Sequence, residues 1–113
     1  MERKLSYDSE QDILYFNEGR IVQDSLEIGN VYIEFSADNK VAGVEVLNAS
    51  EFISDFTGEE FSKETLGNIL DAEIKVIRSG DFVVITLQFV AEKEGQKVKE
   101  SIGVNVPSQT VTA

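Results

Sequence analysis

The strongest constraint on this chain is the segment from Phe82 to Ala91, in which buried-type apolar side chains occupy every second position. Every second residue there is large and apolar: Val83, Ile85, Leu87 and Phe89. A period of two is typical of a β-strand that presents one face to a core. The opposite face is mixed rather than polar: Phe82, Val84, Thr86, Gln88 and Val90. Its apolar members need cover, either from a helix of the chain or from a partner.

This segment is the second arm of a predicted hairpin. The first arm covers 72–78, and the turn Ser79-Gly80-Asp81 joins the two arms because glycine tolerates a positive φ. After another turn at 94–96, apolar and polar residues alternate again until Pro107. The tail at 108–113 is expected to be frayed. The C-terminal half therefore predicts a hairpin and one further strand.

The N-terminal half predicts a second antiparallel sheet. Turn-forming residues mark its connections, above all the hairpin tetrad Ala37-Asp38-Asn39-Lys40 and the polar bend Asp8–Asp12. Between the connections the residues alternate or form short apolar runs. The predicted strands cover residues 4–7, 13–17, 21–28, 31–35 and 41–47.

One or two short helices are predicted between the two halves. Apolar residues recur at helical spacing at Phe52, Ile53 and Phe56, and again at Leu66, Ile69 and Leu70. The expected caps are Asn48 or Ser50 for the first helix and Ser62 for the second. We expect Phe56, Phe61 and the second apolar stripe to lie in the core, because a helix packed on one face of a sheet closes such a layer.

Together these elements predict an α+β fold. Its antiparallel sheets are an N-terminal meander or hairpin and a C-terminal hairpin plus strand, with the short helices between them. A chain of 113 residues is long enough to bury one core without a metal or a disulfide. We therefore expect a single domain over 1–113. No membrane span is expected, because the apolar runs are far shorter than the ~20 residues that a span needs.

Composition and charge exclude several classes of function. The chain has no Cys and no His, so it cannot form thiolate or imidazole metal sites or a His-based triad. It also has no glycine-rich phosphate-binding motif. The net charge is −11, and residues 1–64 hold 15 acidic and 5 basic residues, which disfavours nucleic acid and anionic membranes as partners. We expect a cytoplasmic protein that is not an enzyme and needs no cofactor.

Two blocks of residues resemble a known family. Residues 7–16, YDSEQDILYF, are similar to its pattern Y-D-x-E-x-D-x-L-Y-[IF], although members often read A-D-A where this chain has Gln11-Asp12-Ile13. Residues 41–50, VAGVEVLNAS, are similar to V-x-G-[IV]-E-[IV]-L-[DN]-A-S. The family consists of very short prokaryotic domains of unknown function, and the resemblance covers residues 5 to about 53.

The resemblance implies a small antiparallel sheet followed by a short helix, and no activity, substrate or cofactor. Some members of the family are encoded beside toxin-like partners, so the resemblance also implies a possible antitoxin-like role. Residues 72–106 lie outside the resemblance and are an added β segment.

Asp8, Glu10 and Asp12 are the one acidic spacing that predicts a candidate site. On a strand, alternate carboxylates converge and suit a hard cation such as Ca²⁺ or Mg²⁺. An EF-hand loop is excluded, because its Gly and Glu positions hold Ile13 and Gly19. In the competing interpretation, Asp8 and Asp12 accept hydrogen bonds from backbone amides of the bend.

Two other sets of charged residues have predicted roles. Glu34 and Glu45 are expected on the two strands of the central hairpin, where facing carboxylates can do acid–base work, but nothing beside them positions a substrate. Arg78, Lys97 and Lys99 are expected to meet the acidic half, within one chain or between two.

The sequence thus predicts a protein-interaction or self-association module. Exposed sheet edges are commonly protected by pairing, and a symmetric homodimer is the commonest arrangement. Two alternatives stay open. One is a small binder of a divalent cation or metabolite through oxygen ligands, and the other is an antitoxin-like neutraliser of a basic partner protein.

Overall fold

A computed structural model describes residues 4–111, and in this part of the chain it has two antiparallel sheets and two short α-helices. The α+β class predicted from the sequence is confirmed. The first sheet has the spatial order β1-β2-β5-β4-β3, with β1 (Lys4–Asp8), β2 (Ile13–Asn17), β3 (Asp24–Ile28), β4 (Val31–Phe35) and β5 (Val41–Val46). The second sheet has the order β6-β7-β8, with β6 (Ile69–Ser79), β7 (Phe82–Lys93) and β8 (Gln96–Pro107). The helices α1 (Ala49–Thr57) and α2 (Lys63–Leu66) lie between the sheets in sequence.

The two sheets pack through their apolar faces into one core. In β7, the four alternating apolar residues from Val83 to Phe89 are at most 2% exposed. They meet the inward residues of the first sheet, among them Ile33 of β4 and Val44 of β5. Burying each of these side chains contributes roughly 1.5–3 kcal/mol. The alternation in the sequence therefore decides which face of each sheet is buried.

Both helices pack into the same core. Ile53 of α1 and Leu66 of α2 are fully buried. Between the helices, the ring of Phe61 meets the ring of Phe89 edge-on, with 5.9 Å between centroids. The ammonium of Lys93 lies 5.4 Å from the centre of the Phe61 ring, which is a cation–π contact. No helix in the described part of the chain is long and apolar enough to cross a membrane.

The structure corrects two predictions about the helical segment. Ile69 and Leu70 begin β6 and do not extend the second helix, because Gly67 ends α2. Leu70 is 52% exposed, so it is not part of a buried stripe. Phe56 is 51% exposed and lies against the ring of Phe52 rather than in the core. Burial of Phe61 and capping of α2 by Ser62, in contrast, are as predicted.

The tail is better ordered than its sequence indicates. Ser108–Thr110 form a 3₁₀ helix and Val111 is 4% exposed. The guanidinium of Arg78 donates hydrogen bonds to the carbonyl oxygens of Ser108, at 3.4 Å, and Val111, at 2.7 Å. The prediction of fraying is wrong for these residues, and its last two positions, 112–113, lie outside the described part. The strand predicted over 21–28 begins only at Asp24.

Ion pairs do not join the two halves within residues 4–111. The ion pair found there links Lys75 and Glu73, which both belong to β6. The predicted meeting of basic and acidic halves is therefore wrong for a single chain, and Arg78 contacts the tail instead. A hydrogen bond does connect the halves, because Oε1 of Glu18 accepts from the backbone amide of Ile74 at 3.2 Å.

Replacing Phe61 by alanine is expected to lower the free energy of unfolding by about 3–5 kcal/mol, because it removes a fully buried ring. The same change at the half-exposed Phe56 is expected to cost less than about 1 kcal/mol. Equilibrium unfolding in urea measures both values. If Phe61→Ala does not fold, Phe61→Leu replaces it, with an expected cost of about 1–2 kcal/mol. Equal costs at the two positions would contradict the packing described here.

Candidate functional site

The acidic bend between β1 and β2 places its three carboxylates in different settings. Oδ1 of Asp8 accepts hydrogen bonds from the backbone amides of Glu10, at 2.9 Å, and Gln11, at 3.1 Å. Glu10 is exposed in the turn, and Asp12 has a left-handed backbone with φ 57°. Only Asp8 stands on a strand, so the three side chains do not share one strand face. Within residues 4–111, no group of three acidic side chains is arranged to hold a metal ion.

Asp12 caps helix α1 from a position 38 residues earlier in the chain. Its carboxylate accepts hydrogen bonds from the backbone amide of Ser50, at 3.0 Å, and from the Ser50 hydroxyl, at 2.6 Å. Its backbone carbonyl accepts from the amide of Ala49 at 2.9 Å, and the Tyr7 hydroxyl donates to its Oδ1 at 2.5 Å. Asn48 provides no side-chain cap. The cap predicted from Asn48 or Ser50 is therefore supplied by Asp12, in what we call the Tyr7–Asp12–Ser50 cluster.

Hydrogen bonding sets the protonation states in this cluster. Burial raises the pKa of Asp12, but the hydrogen bonds from Ser50 and Tyr7 lower it by more, so the pKa lies below its usual range. The pKa of the Tyr7 hydroxyl is raised, first by burial and then by its hydrogen bond to Asp12. At neutral pH, Asp12 is thus an anion and Tyr7 is protonated. The cluster holds α1 onto the bend and offers no group that titrates near neutrality.

A second cluster lies on the outward face of the first sheet. The Tyr15 hydroxyl, from β2, donates to Oε1 of Glu34, from β4, at 2.8 Å. Burial is the main cause that raises the pKa of Tyr15, and the hydrogen bond to Glu34 adds to it. Glu34 stands opposite Gly43 in the register of β4 and β5, whereas Glu45 stands opposite Tyr32. The two carboxylates predicted to face each other are therefore diagonal neighbours.

Gly43 gives the Glu34 side chain its room. A Cβ at this position would lie 2.5 Å from Oε1 of Glu34 and 2.9 Å from the backbone oxygen of Phe16. The tyrosine–glutamate bond crosses β5, because Tyr15 and Glu34 stand on the two strands that flank it. The sequence analysis missed this role, although a glycine inside a strand is itself a signal of close approach.

The outward face of the second sheet has a different character. Its residues form five rows across β6, β7 and β8: Asp71/Val90/Lys99, Glu73/Gln88/Ser101, Lys75/Thr86/Gly103, Ile77/Val84/Asn105 and Ser79/Phe82/Pro107. We call this surface the neutral face, because its two acidic and two basic residues cancel. Ile77 is 54% exposed and Phe82 is 53% exposed. Large apolar side chains therefore lie exposed on a surface whose charges sum to zero.

No helix within residues 4–111 covers the neutral face. The buried side chains of the helical segment, Ile53, Phe61 and Leu66, all belong to the core between the sheets. The side chain of Gln88 lies in the middle of the face, and its Oε1 is enclosed without a hydrogen-bond partner. The sequence predicts that either a helix of the chain or a partner covers the apolar residues of this face. The described part of the chain provides no helix there.

A polar groove of about 410 Å³ lies beside α2 and the turn that joins β7 and β8. Its lining includes Glu60, Glu64, Glu92, Glu94 and Lys93. Four carboxylates against one ammonium repel an anionic ligand. The one ammonium of this lining, that of Lys93, is also engaged with the Phe61 ring.

Comparison with known proteins confirms the family resemblance. Residues 4–50 match a family described as protein of unknown function, DUF2283, and this segment contains both clusters. The chain is also similar to the uncharacterized protein MJ0789 of Methanocaldococcus jannaschii, with 26% identity over 104 residues. That alignment covers 90% of this chain and 85% of that protein, so it extends into the second sheet. No solved structure matches the chain.

Asp12→Asn is expected to lower the free energy of unfolding by about 1–2 kcal/mol at neutral pH. Asparagine tolerates the left-handed backbone and keeps one acceptor, so the change isolates the charge of the cap. The control is Asp8→Asn, expected to cost less than about 0.5 kcal/mol because Asp8 bonds only to amides of its own exposed turn. Urea unfolding of both variants measures the difference.

The charge of Asp12 also predicts that the stability difference between the wild type and Asp12→Asn depends on pH. The pKa of Asp12 in the folded protein lies below the usual 3.8, so its charged form adds stability above that pH. The contribution is lost as the pH falls through the lowered pKa. The difference in stability between the wild type and Asp12→Asn should therefore be full near neutrality and shrink below pH 3.8. A difference that stays constant would contradict a charged cap.

Gly43→Ala is expected to destabilise the protein by about 2–3 kcal/mol, because the new methyl group meets a backbone oxygen that cannot move aside. Gly103→Ala is the matched control, since its Cβ would meet the side chains of Thr86 and Val84 at 3.3 and 3.4 Å. Those side chains can shift, and the expected cost is below about 1 kcal/mol. Thermal and urea unfolding compare the two, and equal losses would refute the close approach at Gly43.

Proposed function

We propose that this protein is a non-enzymatic self-association module, and that a second copy of the chain binds to its neutral face. The observation that carries the proposal is the exposure of Ile77 and Phe82 on a surface whose charges cancel. Exposed apolar area of this kind is typical of protein-binding surfaces. In the dimer, the second copy covers the outward face of the second sheet.

Charge favours binding of a second copy at the neutral face rather than at the acidic parts of the surface. The chain carries a net charge of −11, and two copies repel each other wherever their acidic surfaces approach. The outward face of the first sheet carries Glu27, Glu34 and Glu45. The neutral face lets two copies come together without that repulsion.

The tyrosines and carboxylates of the first sheet support a role without catalysis. Tyr7 and Asp12 bond to each other and to the start of α1, and Tyr15 bonds to Glu34 across a strand. Groups that an enzyme would use for acid–base work are thus engaged in holding the sheet and the helix together. The second sheet, which lies outside the matched segment, is left for binding.

The size of the neutral face predicts a weak dimer. Three strands about 4.8 Å apart and nine residues long span roughly 14 Å by 30 Å. Such a face buries less than the roughly 800 Å² per partner of a standard stable interface. We therefore expect association that depends strongly on protein concentration in the micromolar range.

Sedimentation velocity over about 1–300 µM is expected to show a shift from monomer to dimer in the wild type. The double variant Ile77→Thr/Phe82→Thr is expected to weaken association at least about tenfold, because it removes apolar contact area from the interface. Ile21→Thr/Phe56→Thr is the matched control, since those residues are 74% and 51% exposed elsewhere on the surface. The control is expected to associate as the wild type does.

Two outcomes would overturn the proposal. One is a wild type that stays monomeric over the whole range of concentration. The other is equal association of the neutral-face variant and the control. Either result would favour one of the two alternatives, which are a basic partner bound to the acidic half and an oxygen-ligand site for a cation or metabolite.

A further inference from the structure

We infer that the two copies are related by a twofold axis that runs along β7, so that Asp71 of one copy lies over Lys99 of the other. This inference rests on the proposed self-association and names the geometry of the same surface. It follows from the register of the three strands and from the order of the residues along the neutral face. A charged pair and a central glutamine then specify how the copies are aligned.

Asp71 and Lys99 are placed so that two copies can pair them. Both stand in one row, on either side of Val90, at opposite edges of the sheet. They are two strands apart, about 9–10 Å, and no ion pair joins them in the described part of the chain. A twofold axis along β7 keeps each row in place and exchanges the edges. It lays β6 of one copy over β8 of the other, which brings Asp71 and Lys99 together twice.

A twofold axis perpendicular to the strands gives less favourable contacts. An axis across the strands would reverse the order of the rows and set the Asp71 row against the Phe82 row. Glu73 would then be buried against Ile77, and Lys75 would face Lys75 of the second copy, which is unfavourable. With the axis along β7, like rows meet: Phe82 contacts Phe82 of the second copy, and Val84 contacts its own counterpart. The exposed aromatic rings then cover each other.

The enclosed amide of Gln88 also favours an axis along β7. Gln88 stands on the outward face of β7, the central strand of the sheet, and its Oε1 has no hydrogen-bond partner in the described part of the chain. An axis along β7 places Gln88 opposite Gln88 of the second copy. A side-chain amide carries both donors and an acceptor, so after a side-chain rotation each glutamine can donate to the oxygen of the other. The symmetric pair provides the partner that the single chain lacks.

Charge reversal at the two positions tests the geometry. Asp71→Lys alone places two lysines together at each contact, and Lys99→Glu alone places two acids together. Each single variant is therefore expected to associate at least about tenfold more weakly than the wild type. Mixing the two single variants should restore association, because both contacts of the mixed dimer then join opposite charges. Native mass spectrometry and sedimentation velocity of the equimolar mixture measure this recovery.

The control is the pair Asp55→Lys and Lys63→Glu, which makes the same changes in charge at exposed positions on the helices. Neither these variants nor their mixture is expected to change association by more than about twofold. Recovery in the Asp71→Lys/Lys99→Glu mixture alone supports the axis along β7. Association that depends on Ile77 and Phe82 but shows no such recovery would refute this axis and leave the proposed self-association standing. A wild type that never dimerises would overturn both.

Discussion

Burial of the alternating apolar side chains of β7 is the interaction on which the rest of the structure depends. Val83 to Phe89 turn one face of the second sheet toward the first, and Ile33 and Val44 meet them there. Because side chains alternate strictly along a strand, the same burial turns the residues between them outward. One strand thus defines both the centre of the core and the centre of the neutral face.

The matched segment of the chain, residues 4–50, owes its most distinctive residues to packing and hydrogen bonding. Asp12 and Ser50 come from the two blocks that resemble the family, and they bond to each other across 38 residues. Gly43, in the second block, is required by the Glu34 side chain. Polar residues of this kind are easily taken for a binding site, but here their hydrogen bonds are used within the fold.

How much of this could be predicted from the sequence depended on the range of each interaction. Alternation is local, so the strands and the buried row of β7 could be predicted. The pattern predicts a helix at Ile69 and Leu70, because three apolar residues spaced i, i+3, i+4 cannot distinguish the end of a helix from the start of a strand. The cap from Asp12 could not be predicted, since it joins distant residues. The row that holds Asp71 and Lys99 depends on a register shift near the start of β6, which no local pattern reveals.

The long-range cap of α1 has a consequence for the order of synthesis. Asp12 is synthesised 38 residues before Ser50, so the acceptor for the first helical turn is already in the chain when the helix is made. A fragment that begins after residue 12 lacks this acceptor altogether, and its first helical turn has to find water instead. The first turn of the helix thus depends on the opening strand and bend, although β2, β3, β4 and β5 lie between the two in the chain.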